Sequence, residues 1–408
     1  MYLPRGSNQL FLGGSNKESP LMTKMMLPRI KPILTPVRLS VGRIRIGTLY
    51  GVGSEVQDDE EGTIWWLLGL MNGTRSTETI VSEMRQAVPA LEEQSIYEAI
   101  DTLIDQGFVE DAAILPPAEF SDTELEQYSR NINYFSRVDI QPRPSPYEHQ
   151  LRLKHARVTV LGLGGSGSAM AMSLAAVGVG SLHLGDFDRV EVSNLNRQLL
   201  YTVEDVGRPK VAAAVDRLRQ LNPYITITGQ ELQVTSSDDL MPLMQGHDLF
   251  ILCADTPPVQ LQLWVNDAAL RTQTPWLINS YSGPVLGVGI FVPFKTPCYQ
   301  CLKHEEDRQR TEQDENILEQ LFSPQMVQAV IAPTASLTGH LGALEAIYFI
   351  TGLQPQTLGR VFHQDLTTYD NCFYTEVPFW AECPCYGVDR PYRPASSRSS
   401  LQDNGRIQ

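Results

Sequence analysis

The stretch VTVLGLGGSGSAMAMSLAAVGVG, from Val158 to Gly180, decides the fold that this sequence predicts. It opens with an apolar run typical of a buried strand, passes through a glycine-rich turn, and continues as a run of small residues typical of a closely packed helix. A strand, a tight turn and a helix in this order bring backbone N–H groups and the positive end of the helix to one point. We therefore predict an anion site formed by Gly162, Gly164, Gly165 and Gly167.

The segment that follows distinguishes a nicotinamide cofactor from a nucleoside triphosphate. The next strand, GSLHLGDFD, ends with Asp186 and Asp188, whose carboxylates can accept hydrogen bonds from ribose hydroxyls in both cases. Two cations come after it, Arg197 and Lys210. Together they exceed what a diphosphate on a helix terminus needs, but they suit a triphosphate that is attacked at its α-phosphorus. The segment therefore favours ATP over NAD.

A further carboxylate follows another apolar strand. Asp255 ends the run DLFILCAD, and ligands of open α/β sheets bind at the carboxyl ends of the strands. Carboxylates are typical magnesium ligands. Since strands and helices alternate from Val158 onward, the sequence predicts an α/β fold with a doubly wound, mainly parallel, Rossmann-like sheet. Asp255 is then expected to be a magnesium ligand at its edge.

The residues from Gly162 to Lys210, including GDFDRVEVSNLNRQLLYTVEDVGRPK, resemble the ThiF, MoeB and ubiquitin-activating superfamily of adenylating enzymes. The resemblance extends from Tyr128 to Gly387 and is greatest to the branch that adenylates a microcin peptide. It implies that Asp188 holds the ribose and that Asp255 binds magnesium. The residues that it implies for the phosphates are Asn194, Arg197, Gln198 and Lys210.

The same resemblance implies a homodimer. In this superfamily an arginine upstream of the first strand reaches into the site of the partner subunit. The stretch QYSRNINYF places Arg130 at that position.

Four of the six cysteines form two close pairs, Cys298 with Cys301 and Cys383 with Cys385. Four thiolates can form a closed tetrahedral zinc site, which is structural rather than catalytic because no ligand position is open. The second pair is CPC instead of the CxxC usual in the superfamily, which leaves His304 and His363 as alternative ligands. The other two cysteines, Cys253 and Cys372, are interpreted as small core residues.

The segment from Leu302 to Gln325 contains no cysteine, whereas relatives that form thioesters carry one in the corresponding loop. We therefore expect the chemistry to stop at, or proceed directly from, an adenylated peptide.

Residues 31–115 predict a small α+β domain of the winged-helix type. Short alternating strands between Ile33 and Val56 precede three amphipathic helical patterns, around Ile64, from Ser76 and from Leu91. The pattern resembles the PqqD-like domains that recognise the leader of ribosomally made peptides. The resemblance implies that a leader adds as a strand along about Leu49 to Gln57, against the third helix. A purely structural or dimerisation domain is the alternative.

The charge of the chain indicates which classes of binding partner to expect. The chain has 408 residues and a formal net charge of −15, and no Lys or Arg lies between Leu91 and Gly107, where a recognition helix would be. Such a chain is repelled by phosphates, so we expect no nucleic-acid partner and no membrane partner. The absence of a signal peptide and of a long apolar run predicts a cytoplasmic protein.

The expected organisation has five parts: a disordered tail over 1–30, the leader-recognition domain over 31–115, a connector with Arg130 over 116–150, the adenylation domain over 151–387 and a second disordered tail over 388–408. The leading functional hypothesis is ATP-dependent adenylation of a ribosomally made precursor peptide at a carboxylate or an amide. A catalytically silent leader-binding scaffold and an activator of a ubiquitin-like sulfur carrier are the alternatives.

Overall fold

The computed structural model describes residues 26–47, 53–309 and 329–385. The chain forms two compact units, Met1–Leu153 and Lys154–Gln408. Residues 1–25 of the tail predicted over 1–30, and the whole tail predicted over 388–408, lie outside the described residues. The first unit therefore includes both the predicted leader-recognition domain over 31–115 and the predicted connector over 116–150.

The first unit begins earlier than the sequence predicts. A strand, β1 (Pro28–Ile30), lies within the segment expected to be a tail, because it pairs antiparallel with β5 (Val109–Asp111). The strands between them are β2 (Pro36–Ser40), β3 (Arg43–Gly47) and β4 (Gly53–Gln57). The helices of this unit are α1 (Thr63–Leu70), α2 (Thr77–Ala87), α3 (Glu93–Asp105), α4 (Asp122–Val138) and α5 (Glu148–His155), whose last two residues lie past the boundary.

Local signals explain where these helices begin. Ser76 caps α2 by accepting a hydrogen bond from the backbone N–H of Thr79. Ser121 and Glu124 form a capping box at the start of α4. The apolar faces of α1, α2 and α3 pack with Ile44, Ile46 and other strand residues into one core, which fixes the three-helix arrangement that the periodicity predicts.

Strands β2, β3 and β4 form an antiparallel sheet in that order. The outer edge of β4 has no partner strand among the described residues. The predicted leader-binding segment therefore lies in part on a sheet edge at Gly53–Gln57, while its residues 49–52 fall outside the described ranges.

A buried ionic cluster ties the two ends of this unit together. The carboxylate of Asp139 accepts hydrogen bonds from His149 Nε2 and from Arg143 Nε, each at 2.7 Å. The ammonium group of Lys31 donates to the backbone carbonyl of Asp139 at 3.1 Å. Burial alone would raise the pKa of Asp139, but the hydrogen bonds from His149, the Gln141 backbone and Arg143 hold it well below its usual range.

The second unit is built on one eight-stranded sheet. Its strands are β6 (Arg157–Leu161), β7 (Ser181–Asp186), β8 (Thr226–Glu231), β9 (Leu249–Leu252), β10 (Trp276–Ser282), β11 (Val285–Phe291), β12 (Arg360–Asp365) and β13 (Cys372–Glu376). The helices are α6 (Gly165–Val177), α7 (Lys210–Leu221), α8 (Met241–Met244), α9 (Gln260–Thr272), α10 (Tyr299–Gln309) and α11 (Ala332–Thr351).

The strand order is β13-β12-β11-β10-β9-β6-β7-β8. The pairs from β8 to β10 are parallel, and the remaining pairs are antiparallel. The predicted α/β fold with a mainly parallel sheet is therefore confirmed. The chain leaves β6 toward β7 on one side and later returns to place β9 on the other, so the carboxyl ends of β6 and β9 form a topological switch point, where ligands of such sheets bind.

No helix within the described ranges is long and apolar enough to cross a membrane.

Candidate functional site

The glycine-rich turn after β6 has the close packing that the sequence predicts. Gly162 adopts φ +92°, a conformation that favours glycine, and its amide donates to the carbonyl of Gly185 at 2.8 Å. A Cβ atom on Gly167 would lie 1.8 Å from the Gly162 carbonyl oxygen. Gly167 therefore lets the first turn of α6 pack against the loop, and it does not itself line the cavity described below.

A second helix begins beside the first turn of α6. A Cβ on Gly165 would lie 2.8 Å from the Cβ of Ala335 in the first turn of α11, and further along, one on Gly339 would meet the backbone of Ser166. Because contacts advance in the same direction along both helices, α6 and α11 run alongside each other from adjacent N-termini. Two positive helix ends therefore lie near one point.

A cavity of about 290 Å³ opens at this point. Its volume is at the lower end of the range for small-ligand sites. The structure brings most of the predicted nucleotide residues to its wall, and these are Gly162, Gly164, Gly165, Asp186, Asp188, Arg197, Gln198, Lys210 and Asp255. The cavity therefore lies at the switch point between β6 and β9.

Asn194 does not belong to the wall. Its side-chain oxygen accepts a hydrogen bond from the Glu191 backbone N–H at 3.1 Å and closes a short 3-10 turn. In this arrangement Asn194 shapes the loop that carries Arg197.

The two aspartates after β7 have different surroundings. Asp186 is buried, and its carboxylate accepts hydrogen bonds from the backbone N–H groups of Leu163, at 2.6 Å, and Asp188, at 2.8 Å. Burial raises the pKa of Asp186, while Lys210 and these hydrogen bonds oppose the rise. Asp186 thus braces the glycine turn. Asp188 is half exposed and is the carboxylate better placed to reach a ribose.

Lys210, the first residue of α7, is buried, and its ammonium group lies 2.7 Å from the Asp188 carboxylate. Arg197 donates to the Ser193 carbonyl and to the Asn196 side chain, both at 2.9 Å. These contacts hold two cations at the cavity wall with directions fixed by the chain, as preorganised phosphate binding requires.

Asp255 follows β9 at the cavity wall and is exposed. Its Oδ1 accepts a hydrogen bond from the Thr256 hydroxyl at 3.2 Å. A carboxylate that is accessible at the edge of the sheet fits the oxygen ligands that Mg²⁺ prefers. Asp255 is therefore suited to hold the metal of a metal–nucleotide complex.

The sequence reasoning missed part of the wall. Tyr281, near the end of β10, lines the cavity beside Arg197, and Phe187, Leu232 and Val234 add apolar surface. Periodicity could not have singled out Tyr281, because a tyrosine in a strand usually contributes to packing.

The four paired cysteines converge. Their sulfur atoms all lie within 4.8 Å of one another, with Cys298–Cys383 and Cys301–Cys385 at 3.4 Å and Cys298–Cys301 at 4.0 Å. A tetrahedral site with Zn–S bonds of about 2.3 Å has sulfur–sulfur edges of about 3.8 Å. The backbone N–H of Trp380 donates to Cys301 at 3.5 Å. The cluster therefore fits a tetrahedral metal ion. Both cysteines of the CPC pair belong to it, although they are separated by one residue instead of two.

The two histidines considered as alternative ligands are engaged in ring stacking instead. His304 stacks on Trp380 and His363 stacks on Phe373. Among the described residues the metal-ligating group contains only the four cysteines.

The two remaining cysteines differ from each other. Cys253 lines the cavity, and burial raises the pKa of its thiol to about 12, so it is a poor nucleophile. Cys372 is exposed on β13. Its interpretation as a core residue is wrong, because β13 is an edge strand and most of its residues are exposed to solvent.

Arg130 lies on α4 of the first unit and is exposed. Its guanidinium group makes no hydrogen bond or ion pair with another described residue.

Residues 128–385 match the ThiF family. This chain belongs to the ThiF family. It is 35% identical to the molybdopterin-synthase adenylyltransferase of Salmonella typhimurium, over 51% of this chain and 76% of the relative. It is 34% identical to the Escherichia coli adenylyltransferase of the sulfur carrier protein ThiS, over 43% of this chain and 64% of the relative.

Solved structures extend the likeness to the fold of nearly the whole chain. E. coli MccB, crystallised with AMPCPP and MccA, superposes with a TM-score of 0.69 at 23% identity, covering 88% of this chain and 99% of MccB. A structure of PaaA has a TM-score of 0.65 at 24% identity, covering 84% of this chain and 98% of PaaA. The curated relatives match about half of this chain, whereas these structures match both its units in fold.

Proposed function

We propose that this protein is an ATP-dependent adenylyltransferase that activates a ribosomally made precursor peptide. The observation that carries the proposal is the meeting of Arg197, Lys210 and Asp255 at one cavity beside two helix N-termini. Names of the ThiF-family relatives support adenylyl transfer. A scaffold without activity would gain nothing from two oriented cations and an accessible carboxylate at this point.

In the proposed reaction a peptide carboxylate attacks the α-phosphorus of ATP. An oxygen–phosphorus bond forms, the bond from the α-phosphorus to the bridging oxygen breaks, and pyrophosphate leaves with the electron pair. Arg197 and Lys210 balance the charge that develops on the phosphate oxygens. Magnesium held by Asp255 would add charge compensation when it is bound. A carboxylate is already ionised at neutral pH, so the attack needs no general base. An amide made nucleophilic is the alternative substrate group.

The peptide is proposed on separate grounds. The first unit offers the sheet edge of β4 at Gly53–Gln57, and an extended peptide can add to such an edge through backbone hydrogen bonds. The fold likeness to MccB, a microcin C7 biosynthetic enzyme solved in complex with N-formylated MccA, supports the same class of partner.

Three further expectations belong to this proposal. The protein acts as a homodimer in which Arg130 completes the partner's site, the four cysteines hold a structural zinc ion, and the protein works in the cytoplasm. The sulfur distances in the cysteine cluster support the second of these.

The test uses the full-length protein with MgATP and synthetic peptides that correspond to the short reading frames beside its gene. We expect pyrophosphate release that depends on one peptide, together with a gain of one adenylate on that peptide or its dehydration. Asp255→Ala should abolish turnover because the metal ligand is lost. Asp370→Ala, which removes an exposed acid outside the cavity wall, should not. Equal turnover by wild-type protein and Asp255→Ala would contradict the proposal.

Activation of a sulfur carrier is the second candidate, because the E. coli relative at 34% identity is named for the sulfur carrier protein ThiS. Pyrophosphate release would then require a small protein with a free C-terminus rather than a short peptide. Supplying a carrier of this type in the same assay separates the two.

A further inference from the structure

Tyr281 places a hydroxyl group at the phosphate end of the cavity. It lies near the end of β10 and lines the cavity wall. The hydroxyl oxygen is 3.0 Å from the point where a Cβ on Gly165, the first residue of α6, would be. The Cβ of Ala335 in α11 lies 2.8 Å from the same point. The hydroxyl is therefore located where the two helix N-termini begin.

The side chain of Arg197 approaches the same point. The Cγ of Arg197 lies 3.6 Å from the same Gly165 position. Burial raises the pKa of Tyr281, whereas the charge of Arg197 lowers it and that of Asp255 raises it. The cation proposed to bind phosphate and the carboxylate proposed to bind magnesium therefore both lie near enough for their charges to act on this hydroxyl.

The hydroxyl of Tyr281 can both accept and donate a hydrogen bond. A guanidinium has no lone pair, so toward Arg197 the tyrosine oxygen can only act as an acceptor. Within the described ranges the hydroxyl proton has no acceptor. A tyrosine is protonated at neutral pH, and it can therefore offer this proton to an anion in the cavity.

We propose that the Tyr281 hydroxyl donates a hydrogen bond to a phosphate oxygen of bound ATP. The inference rests on the proposed function, since it assumes that the cavity takes a nucleoside triphosphate. It adds a neutral donor to the two cations, and it does so from a strand that the glycine motif does not include. A hydrogen bond to a charged group contributes enough to change affinity by about tenfold or more.

The test compares nucleotide binding by wild-type protein and Tyr281→Phe, measured calorimetrically with MgATP and with adenosine. We expect ATP affinity to fall about tenfold, because the ring stays and the donor is lost. Adenosine has no phosphate, so its affinity should not change. Tyr224→Phe, an exposed tyrosine outside the wall, should leave both affinities unchanged. An equal loss for adenosine and ATP, or no loss for ATP, would overturn the inference.

A double-variant measurement separates direct contact from support of Arg197. If Tyr281 touches phosphate, Tyr281→Phe should still weaken ATP binding in an Arg197→Ala background. If the effect disappears in that background, Tyr281 acts only through Arg197 and the inference is wrong. Absence of ATP binding by the wild-type protein would instead contradict the proposed function itself, so the two failures are distinguishable.

Discussion

Replacing Gly167 with alanine should disrupt the glycine turn although Gly167 does not line the cavity. The added Cβ would lie 1.8 Å from the Gly162 carbonyl oxygen, and real Cβ contacts are essentially never below 3.0 Å. The turn would have to retreat by about 1.2 Å. The obstacle is backbone rather than the end of a flexible side chain, so the displacement carries the Gly162 amide away from the Gly185 carbonyl.

Gly167→Ala should lower the free energy of unfolding. Overpacking of this kind costs roughly 1 to 3 kcal/mol. For a unit of about 250 residues each kcal/mol shifts the melting temperature by roughly 2 to 4 °C, so we expect a fall of roughly 2 to 12 °C. Thermal unfolding with and without MgATP measures it, and the stabilisation by ATP should shrink in the variant because the anion site is displaced.

Gly69→Ala is the matched control. Gly69 lies inside α1, and a Cβ there would meet no atom within 4 Å. The substitution should leave stability unchanged or raise it by about 0.4 to 1 kcal/mol. If Gly167→Ala melted like wild-type protein and bound ATP equally well, the inference that α6 packs too closely against the glycine turn to admit a side chain at residue 167 would be wrong.

Two further outcomes are expected. Metal analysis should find about one zinc per chain. Cys298→Ser should lose this zinc, whereas Cys372→Ser, which lies outside the cluster, should retain it. Fully folded wild-type protein without metal would contradict the zinc site. The second outcome concerns the stability of the protein at low pH. The pKa of Asp139 is lowered in the folded state, so its carboxylate stabilises the fold fully above its unfolded pKa of about 4. This stabilisation is lost as the pH falls toward the folded-state pKa. The free energy of unfolding, measured by urea titration at several pH values, should therefore depend less on pH below about 4 in Asp139→Asn than in wild-type protein. The same pH dependence in both proteins would refute the stabilising role of the Asp139 carboxylate.

The sequence predicted the residues of the cavity wall better than it predicted their individual roles. The spacing of the glycines and the position of Asp255 after an apolar strand follow from rules that hold for any open α/β sheet, so their convergence could be foreseen. Whether Asp186 faces a ribose or braces a turn depends on two backbone hydrogen bonds, and sequence patterns carry no information about them. Tyr281 escaped notice because it reaches the site from a strand more than a hundred residues after the glycine turn.

Domain boundaries were less predictable for a related reason. The proline-marked segment after residue 115 reads as a linker, yet Asp139 within it bonds to Lys31, which lies 108 residues earlier in the chain. No local pattern reports a contact of that separation. The CPC pair is the opposite case: its spacing departs from the usual CxxC, yet both of its cysteines join the cluster.

The buried cluster around Asp139 limits how this protein can be recombined with its relatives. A chimera joined near residue 115 would take Lys31 and Asp139 from different parents, and any shift of the Asp139 backbone would leave the buried Lys31 ammonium group without the carbonyl that accepts its hydrogen bond. Leaving a buried charge without its partner is strongly destabilising. Grafting a new peptide specificity onto this scaffold should therefore use a junction just past that boundary, after His155, so that the first strand, α4 and α5 are inherited as one block.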